Sequence, residues 1–240
     1  MAHADTVYII LSLFSRRMIY ATGIFSLVVQ FIVGCIDYLA INIEVGLEDE
    51  LLKDLLKVEL FVQIIEFTFY VWLFYYFSKV STNITPYRYA DWAVTTPLML
   101  ITLSAFLNHD NTASSRLSNF LSDHTSSIVK IVLLNATMLL FGFIGELGYL
   151  NKYTSTALGF IPFALNFKYI KETFLPTSED KFKNAVFYWF VFFWSLYGVF
   201  ALMNYTNKNT GYNILDLFAK NFFGLFLAYI IWSKSKKGSA

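Results

Sequence analysis

Charged residues are scarce in this chain: only 15% of its 240 residues are Asp, Glu, Lys or Arg, against about 25% in ordinary soluble domains. In their place, 57% of the residues are hydrophobic and 20% are aromatic, which is more than a soluble core of this size can bury. This composition excludes an ordinary soluble protein and a disordered one, and it indicates that lipid covers much of the surface. Because the formal net charge is only +1, no nucleic-acid partner is expected.

Cysteine and proline are scarce as well. The single cysteine, Cys35, rules out an intrachain disulfide and a cysteine-based zinc cluster, and we expect no metal site. The chain has four prolines, so most of its helices contain no strong internal breaker. Long apolar runs are abundant instead.

Seven segments are predicted to span a membrane, since a spanning helix needs about 20 mostly apolar residues. Their predicted bounds are 18–42, 52–78, 88–108, 126–147, 152–174, 182–204 and 210–234. Residues 7–14 are too short to span and are predicted to form an N-terminal cap or an interfacial segment rather than a signal peptide. The predicted fold class is an all-α membrane protein, in which residues 1–240 form a single seven-helix domain in the lipid bilayer.

The distribution of Lys and Arg predicts the orientation of this bundle, because cytoplasmic connections are enriched in basic residues. One side holds Lys53, Lys57, Arg116, Lys168, Lys171, Lys181, Lys183, Lys234, Lys236 and Lys237. The other side holds Arg16, Arg17, Lys79, Lys152 and Lys208. We therefore expect the N-terminus to lie outside the cell and the C-terminus in the cytoplasm.

Ionisable residues in the middle of a span are costly, so they are functional candidates by default. Lys220 lies in the middle of the seventh span, and Asp216 lies four residues earlier on the same helix face. A buried amine can form a Schiff base with an aldehyde, and the protonated imine then needs a carboxylate counter-ion. On these two residues alone, a structural Lys–Asp ion pair in a transporter bundle is an equal alternative.

The third and sixth spans favour the first interpretation. Residues 88–98, RYADWAVTTPL, closely resemble the third-helix motif of microbial (type 1) rhodopsins. Asp216 and Lys220 resemble the DxxxK of that family, and residues 194–198, WSLYG, are similar to its WxxYP motif with Gly198 in place of the proline. The resemblance implies that all-trans retinal is bound covalently to Lys220 as a protonated Schiff base.

The same resemblance implies roles for the ionisable residues around the retinal. Asp91 would accept the proton of the Schiff base, with Thr95 one turn later on the same face, and Arg88 would lie on its extracellular side. Tyr70 resembles the tyrosine that is bonded to the helix-seven aspartate, here Asp216. Two carboxylates would then offset the iminium and the guanidinium, so the buried cluster would be nearly neutral, as a low dielectric requires.

Other positions that match the family predict the walls of the retinal pocket. These residues are Trp92, Thr96, Met138, Gly142, Trp194 and Tyr197. The tryptophans and the tyrosine are flat and rigid enough to enclose a polyene, whereas Phe190 and Phe193 are better interpreted as ordinary aromatic packing. Thr96 and Asn135 fall where the family has a hydrogen-bonded pair between its third and fourth helices.

Two positions that identify proton pumps of this family differ here. Those pumps usually carry a carboxylate eleven residues after the proton acceptor, and in this chain that position is Thr102. The outer loop at 204–211 also lacks the glutamate pair that such pumps use for proton release. The usual pump pathway is therefore incomplete at both ends.

Carboxylates occur instead on the second span. Glu59 and Glu66 share a helix face about 10 Å apart, with Gln63 between them. This pattern resembles the acidic second helix of channelrhodopsins, where a Ser, a Glu and the Asn after the retinal lysine form a central gate. The matching residues here are Ser26, Glu66 and Asn221.

Three interpretations of Glu59 remain open. It would form a gate nearer the cytoplasm, face Lys53 or Lys57 near the interface, or serve as an unusual proton donor. Glu66 has no Lys or Arg nearby on its own helix, so it must be neutral or paired across helices. Asp37, near the cytoplasmic end of the first span, is predicted to be interfacial.

These residues predict a light-gated channel for H⁺, Na⁺ or K⁺ without enzymatic activity, because acidic and amide groups favour cations and exclude anions. The alternatives are an outward proton pump, with Asp91 as acceptor and Glu59 as donor, and a sensory photoreceptor with a signalling partner. The chain looks most like the viral rhodopsins of algal giant viruses, a group that includes both channels and pumps. Rhodopsins of this class commonly form trimers or pentamers, so we expect a homo-oligomer.

Overall fold

The computed structural model of the chain is almost entirely helical. It describes residues 2–76, 83–109, 116–175 and 180–235, and of residues 2–15 it describes the backbone alone. Within these ranges no residue forms a β-strand. The helices are α1 (Ala2–Ile41), α2 (Glu50–Tyr76), α3 (Thr85–Asn108), α4 (Leu117–Asp123), α5 (Thr125–Glu146), α6 (Lys152–Phe174), α7 (Lys181–Ala201), α8 (Tyr205–Asp216) and α9 (Phe222–Ser235).

Most of these helices can cross a membrane. Six segments of the described chain are long and apolar enough, namely Arg16–Ile41, Leu47–Tyr76, Thr85–Asn108, Thr125–Glu146, Lys181–Ala201 and Tyr205–Ser235. Helix α6 is as long, but Lys152, Lys168, Lys171 and Glu172 make it more polar. The protein is therefore a helical membrane bundle, and the predicted fold class is confirmed.

Large apolar side chains cover the outside of the bundle, and ionisable side chains lie within it. Phe31, Leu133 and Tyr229 are each more than 60% exposed, as expected of residues that face lipid. Arg88 and Lys220 are at most 2% exposed. Buried charges are tolerated only when they are paired, so the interior must also supply their counter-charges.

The helix bounds differ from the prediction at both ends of the chain. Helix α1 runs through residues 7–14 without a break, whereas the predicted first span begins at residue 18. Residues 205–209, predicted to connect the sixth and seventh spans, belong to α8, because the Asn204 side chain accepts a hydrogen bond from the backbone amide of Asn207 and caps the helix. The parts of the prediction that lie outside the described residues are 77–78 of the second span, Lys79, Lys236 and Lys237.

The seventh span contains an irregularity that the sequence pattern did not predict. A π-helical turn, Leu217–Asn221, joins α8 to α9 and includes Lys220. Such turns insert an extra residue into a helix and are frequent at functional sites. Side chains before and after this turn are therefore rotated relative to their positions in a regular helix.

Candidate functional site

The amine of Lys220 lies among three buried carboxylates. Its Nζ donates a hydrogen bond to Asp91 Oδ2 at 2.6 Å, and it lies 3.6 Å from Glu66 Oε1 and 3.9 Å from Asp216 Oδ1. The carboxylates come from α3, α2 and α8, and each residue is at most 4% exposed. Sequence reasoning predicted two carboxylates around this amine, and the structure brings Glu66 to it as a third.

The charges of this cluster do not balance if every group is ionised. Lys220 and Arg88 supply two positive charges, against three negative charges from Asp91, Asp216 and Glu66. Because an uncompensated charge is costly in a low dielectric, a neutral cluster requires one of the carboxyl groups to carry a proton. Glu66 lies farther from the amine than Asp91, and Arg88 interacts with Asp216 rather than with Glu66, so Glu66 is the best candidate for that proton.

Both oxygens of Asp216 accept hydrogen bonds from tyrosines. The Tyr70 hydroxyl donates to Oδ2 and the Tyr197 hydroxyl to Oδ1, each at 2.6 Å. Arg88 Nη1 lies 3.6 Å from Oδ2. The contact with Tyr70 is the one that the resemblance implied, and Tyr197, predicted only as a pocket wall, holds the other oxygen. These short bonds to an ionised acceptor fix the carboxylate in place.

Two asparagines of α8 bind Arg88. Its Nε donates to Asn209 Oδ1 at 3.2 Å, and its Nη2 donates to Asn213 Oδ1 at 2.5 Å. Sequence reasoning missed both residues. The sequence does contain a pattern that could have indicated them, because Asn209 and Asn213 are four residues apart and share a helix face.

An apolar cleft leads away from Lys220 between α3, α5, α6 and α7. All six residues predicted as pocket walls line it: Trp92, Thr96, Met138, Gly142, Trp194 and Tyr197. A side chain at residue 142 would meet the ring of Tyr89, so this wall requires glycine. An apolar cleft with one lysine amine in its lining suits an apolar aldehyde.

The threonines of α3 differ in their hydrogen bonds. Asn135 Nδ2 donates to Thr96 Oγ1 at 2.8 Å, which is the pair that the resemblance implied. Thr95 Oγ1 donates to the backbone carbonyl of Asp91 at 3.0 Å. Asp91 Oδ1 has no hydrogen-bond partner among the described residues, so one oxygen of this carboxylate is available to another donor.

A glutamine joins the predicted gate residues of α1 and α2. Gln30 Nε2 donates to Glu66 Oε1 at 3.0 Å and to Ser26 Oγ at 3.1 Å. Sequence reasoning did not include Gln30, although it lies one turn after Ser26 on the same face. Asn221 Nδ2 donates to the backbone carbonyl of Asp216 at 3.5 Å. This side chain therefore does not bind Ser26 or Glu66, its predicted partners in the gate.

Glu59 is fully buried and contacts Thr102. The Thr102 hydroxyl also lies 3.0 Å from the Met99 carbonyl. A hydroxyl has one proton, and helical threonines commonly donate it to a carbonyl about one turn back. The contact with Glu59 is then a hydrogen bond only if the Glu59 carboxyl is the donor, so the arrangement suits a protonated Glu59.

Two sequence-based interpretations on this side of the molecule are wrong. Lys57 pairs with Asp54 at 3.2 Å, not with Glu59, because Glu59 faces α3. Asp37 is not interfacial but fully buried, and it accepts a hydrogen bond from Gln63 Nε2 at 2.5 Å. The reason is that α1 packs against α2 and α9 near this end, so Asp37 lies between Gln63 and the backbone of Gly224.

A carboxylate does reach residues 204–211, but from another helix. Lys208 Nζ donates to both carboxyl oxygens of Glu146 at 2.6 and 2.7 Å. Asn83 Nδ2 also donates to Glu146 at 3.2 Å. This carboxylate is engaged in an ion pair, so it does not replace the missing pair of proton-release glutamates.

Known proteins resemble this chain over nearly its whole length. A family model described as bacteriorhodopsin-like protein matches residues 21–234. A green-light absorbing proteorhodopsin from Gamma-proteobacterium EBAC31A08 is 25% identical over an alignment of 192 residues, and the match covers 73% of this chain and 71% of that protein. The crystal structure of viral rhodopsin OLPVRII has a TM-score of 0.77 and 26% identity, covering 90% of this chain and 98% of that one.

A second solved structure shares the fold at lower identity. Blue light-absorbing proteorhodopsin from Med12 has a TM-score of 0.71 and 19% identity, covering 92% of this chain and 99% of that one. Rhodopsin relatives imply a retinal chromophore, and the apolar cleft that ends at one amine fits that group. Because the family model matches most of its length, this chain belongs to the bacteriorhodopsin-like family of microbial rhodopsins.

Proposed function

We propose that this protein is a light-gated cation channel, in which Lys220 holds retinal through a protonated Schiff base. The observation that carries the proposal is a set of buried oxygens between α1, α2 and the seventh span that have no hydrogen-bond partner among the described residues. They belong to Gln30, Asp37, Glu59, Gln63, Glu66 and Asn221. Acidic and amide oxygens can replace the hydration shell of a cation and exclude anions.

Asp91 is the better proton acceptor for the nitrogen of Lys220. Its Oδ2 lies 2.6 Å from that nitrogen and its Oδ1 is unpartnered among the described residues. Asp216, in contrast, has both oxygens occupied by tyrosine hydroxyls. Retinal would supply the absorption of light and a change of shape on illumination. Asp91 would then take the proton, while Asp216 remains the fixed counter-charge of Arg88.

Glu66 links this proton transfer to the ion path. It lies 3.6 Å from Lys220 Nζ on one side and accepts a hydrogen bond from Gln30 on the other. Loss of the positive charge on the Lys220 nitrogen weakens the charge–dipole interaction that orients the protonated Glu66 carboxyl group. The Ser26–Gln30–Glu66 cluster, which closes the path between α1 and α2, is then released.

Patch-clamp recording in cells supplied with retinal tests the proposal. We expect photocurrents whose sign reverses with the cation gradient; a current that stays outward at every voltage would rule the channel out. Replacing Glu66 with Gln should change conductance or selectivity. Glu172→Gln is the matched control, because Glu172 is 64% exposed and pairs only with Lys168 at 3.8 Å among the described residues. Equal currents in native protein and both variants would contradict the gate assignment.

An outward proton pump is the second candidate, favoured by the contact between Glu59 and Thr102. The family's pumps carry a carboxylate at the position of Thr102, and here Glu59 brings one to the same place from α2. Light-induced acidification outside vesicles, measured without an ion gradient, identifies a pump. In that case Glu59→Gln should slow recovery of the dark pigment, and an unaltered recovery would exclude Glu59 as donor.

The orientation and assembly of the bundle are also proposals. The excess of Lys and Arg on one side supports a cytoplasmic C-terminus and an outer N-terminus for this single domain. Protease should then remove a C-terminal tag only from permeabilised cells. We further propose a homo-oligomer, a trimer or pentamer, which native mass measurement of the purified pigment would identify.

A further inference from the structure

Asp37 is a buried carboxyl group that the proposed mechanism does not use. It is fully buried on α1, and Gln63 Nε2 donates to its Oδ2 at 2.5 Å. Its Oδ1 has no hydrogen-bond partner, and no Lys or Arg forms an ion pair with it, within the part of the chain that the structure describes. Because an isolated buried carboxylate is very costly, this position must bind a proton or a cation.

The Asp37–Gln63 pair rests against bare backbone of α9. A Cβ at Gly224 would overlap Asp37 Oδ2 and would lie 2.8 Å from Gln63 Nε2. Residue 224 is four residues after Lys220, about one helical turn. A side chain at residue 224 would therefore displace this pair, and the pair packs against the backbone about one turn after the residue that would hold retinal.

The other side of Gln63 has space. A groove of about 450 Å³ between α1 and α2 is lined by Gln30, Gly34 and Gln63, together with seven mostly apolar residues on its outer side that include Phe31 and Ile64. Gln63 Oε1 is unpartnered among the described residues and lies 3.3 Å from where a Cβ of Gly34 would be. The side-chain amide of Gln63 therefore has room to rotate on the side of the groove. On the side of α9 the backbone at Gly224 leaves it no room.

Glu59 completes the cluster. It lies one turn before Gln63 on the same face of α2, and it is close enough to Asp37 for the two carboxyl groups to interact electrostatically. Its Oε2 is the third unpartnered oxygen of this group. Two acids and one amide can supply the oxygen ligands that hard cations prefer.

We propose that Asp37, Gln63 and Glu59 form a second cation-binding site, separate from the Ser26–Gln30–Glu66 cluster and selective for partly dehydrated monovalent cations such as Na⁺. The inference rests on the proposed channel function. An arriving cation replaces the acidic proton on Asp37, which leaves to water, and Gln63 turns its Oε1 toward the cation. Permeating ions would then pass two acidic sites in series.

Bi-ionic photocurrents with Na⁺ on one side and K⁺ on the other test this site in the retinal-loaded, full-length protein. Asp37→Asn should change the Na⁺/K⁺ permeability ratio roughly threefold to tenfold, the effect of losing about one hydrogen-bond-strength ligand. Gly224→Ala should do the same without removing a charge. Tyr229→Phe, at a 68% exposed residue of α9 outside the groove, should leave the ratio unchanged. An unchanged ratio in both Asp37→Asn and Gly224→Ala would overturn the site.

Infrared difference spectra of purified pigment, with Na⁺ exchanged for a bulky organic cation, separate this inference from the channel proposal. In the bulky organic cation we expect a protonated-carboxyl band that is absent in Asp37→Asn and present in Tyr229→Phe. Exchange to Na⁺ should remove this band. If this band appears but the native protein carries no reversing current, the site stands and the channel proposal fails. If the band responds to pH but not to Na⁺, Asp37 binds only a proton and the proposal is overturned.

Discussion

The interior has two halves that differ in how completely their polar atoms are paired. Around Arg88, the oxygens of Asp216, Asn209 and Asn213 all accept hydrogen bonds. Between α1 and α2, by contrast, every acid and amide of the group that includes Glu59 and Glu66 leaves one oxygen without a described partner. A saturated network rigidifies a protein, whereas an unsaturated one marks the place where protons, water or ions enter.

The difference follows from the kinds of side chain in each half. Arg88 offers five N–H donors, and Tyr70 and Tyr197 add two hydroxyls, so donors there suffice for the acceptors. The other half contains carboxyl and amide groups, in which oxygens outnumber the donors that can reach them. It cannot be saturated without protons or cations, which suits a path for cations.

The largest expected effect concerns the amine at the boundary of the two halves. Lys220→Ala should abolish the visible absorption band that forms when retinal is added to the expressed protein, because no other amine lies at the end of the cleft among the described residues. Lys168→Ala, at a side chain that is 69% exposed, should form pigment normally. A visible pigment in Lys220→Ala would refute the retinal attachment site.

Removal of the central donor of the saturated half should cost stability. Arg88→Gln leaves Asp91 and Asp216 with Lys220 as their one remaining positive partner among the described residues, and we expect the free energy of unfolding in detergent to fall by about 3–5 kcal/mol. The matched change Arg116→Gln affects a pair with Asp54 in which the arginine is 50% exposed, so it should cost about 1 kcal/mol or less. Similar losses in the two variants would contradict a structural role for the saturated half.

The unsaturated half should respond in kinetics instead of stability. Gln30→Leu removes the donor that joins Glu66 to Ser26 in the proposed gate. We therefore expect photocurrent decay after a flash to slow roughly threefold to tenfold, the effect of about one hydrogen bond. Cys35→Ser, at an exposed residue of the same helix, serves as the control. A native decay rate in Gln30→Leu would show that this bond does not hold the gate.

The smallest expected effect is at the pair between α3 and α5. Thr96→Val removes the acceptor of the bond from Asn135 Nδ2 and should lower the free energy of unfolding by about 1 kcal/mol. A double-mutant cycle with Asn135→Leu isolates the pair, since residues in contact are not additive. Strictly additive losses would mean that the two side chains do not interact in solution.

Features within one helix were predictable, and contacts between helices were less so. The spacing of Asp216 and Lys220 and the motif around Asp91 predicted the charged centre, because neighbours at four residues share a face in any regular helix. The burial of Asp37 was predicted incorrectly, since a single helix pattern does not show which face packs inward near its end. Gln30 was missed for the same reason: its importance depends on Glu66 from another helix.

The sequence by itself determined that this is a membrane bundle of apolar helices with a lysine and several acids inside, because composition and periodicity are local properties. Only the tertiary structure decided that Glu66 is the third carboxylate near Lys220, and that Gln30 and Gln63 each donate to an acid on the neighbouring helix. Those contacts depend on how helices rotate and tilt against one another, and on the π-helical turn at Leu217–Asn221, none of which the pattern of one helix specifies.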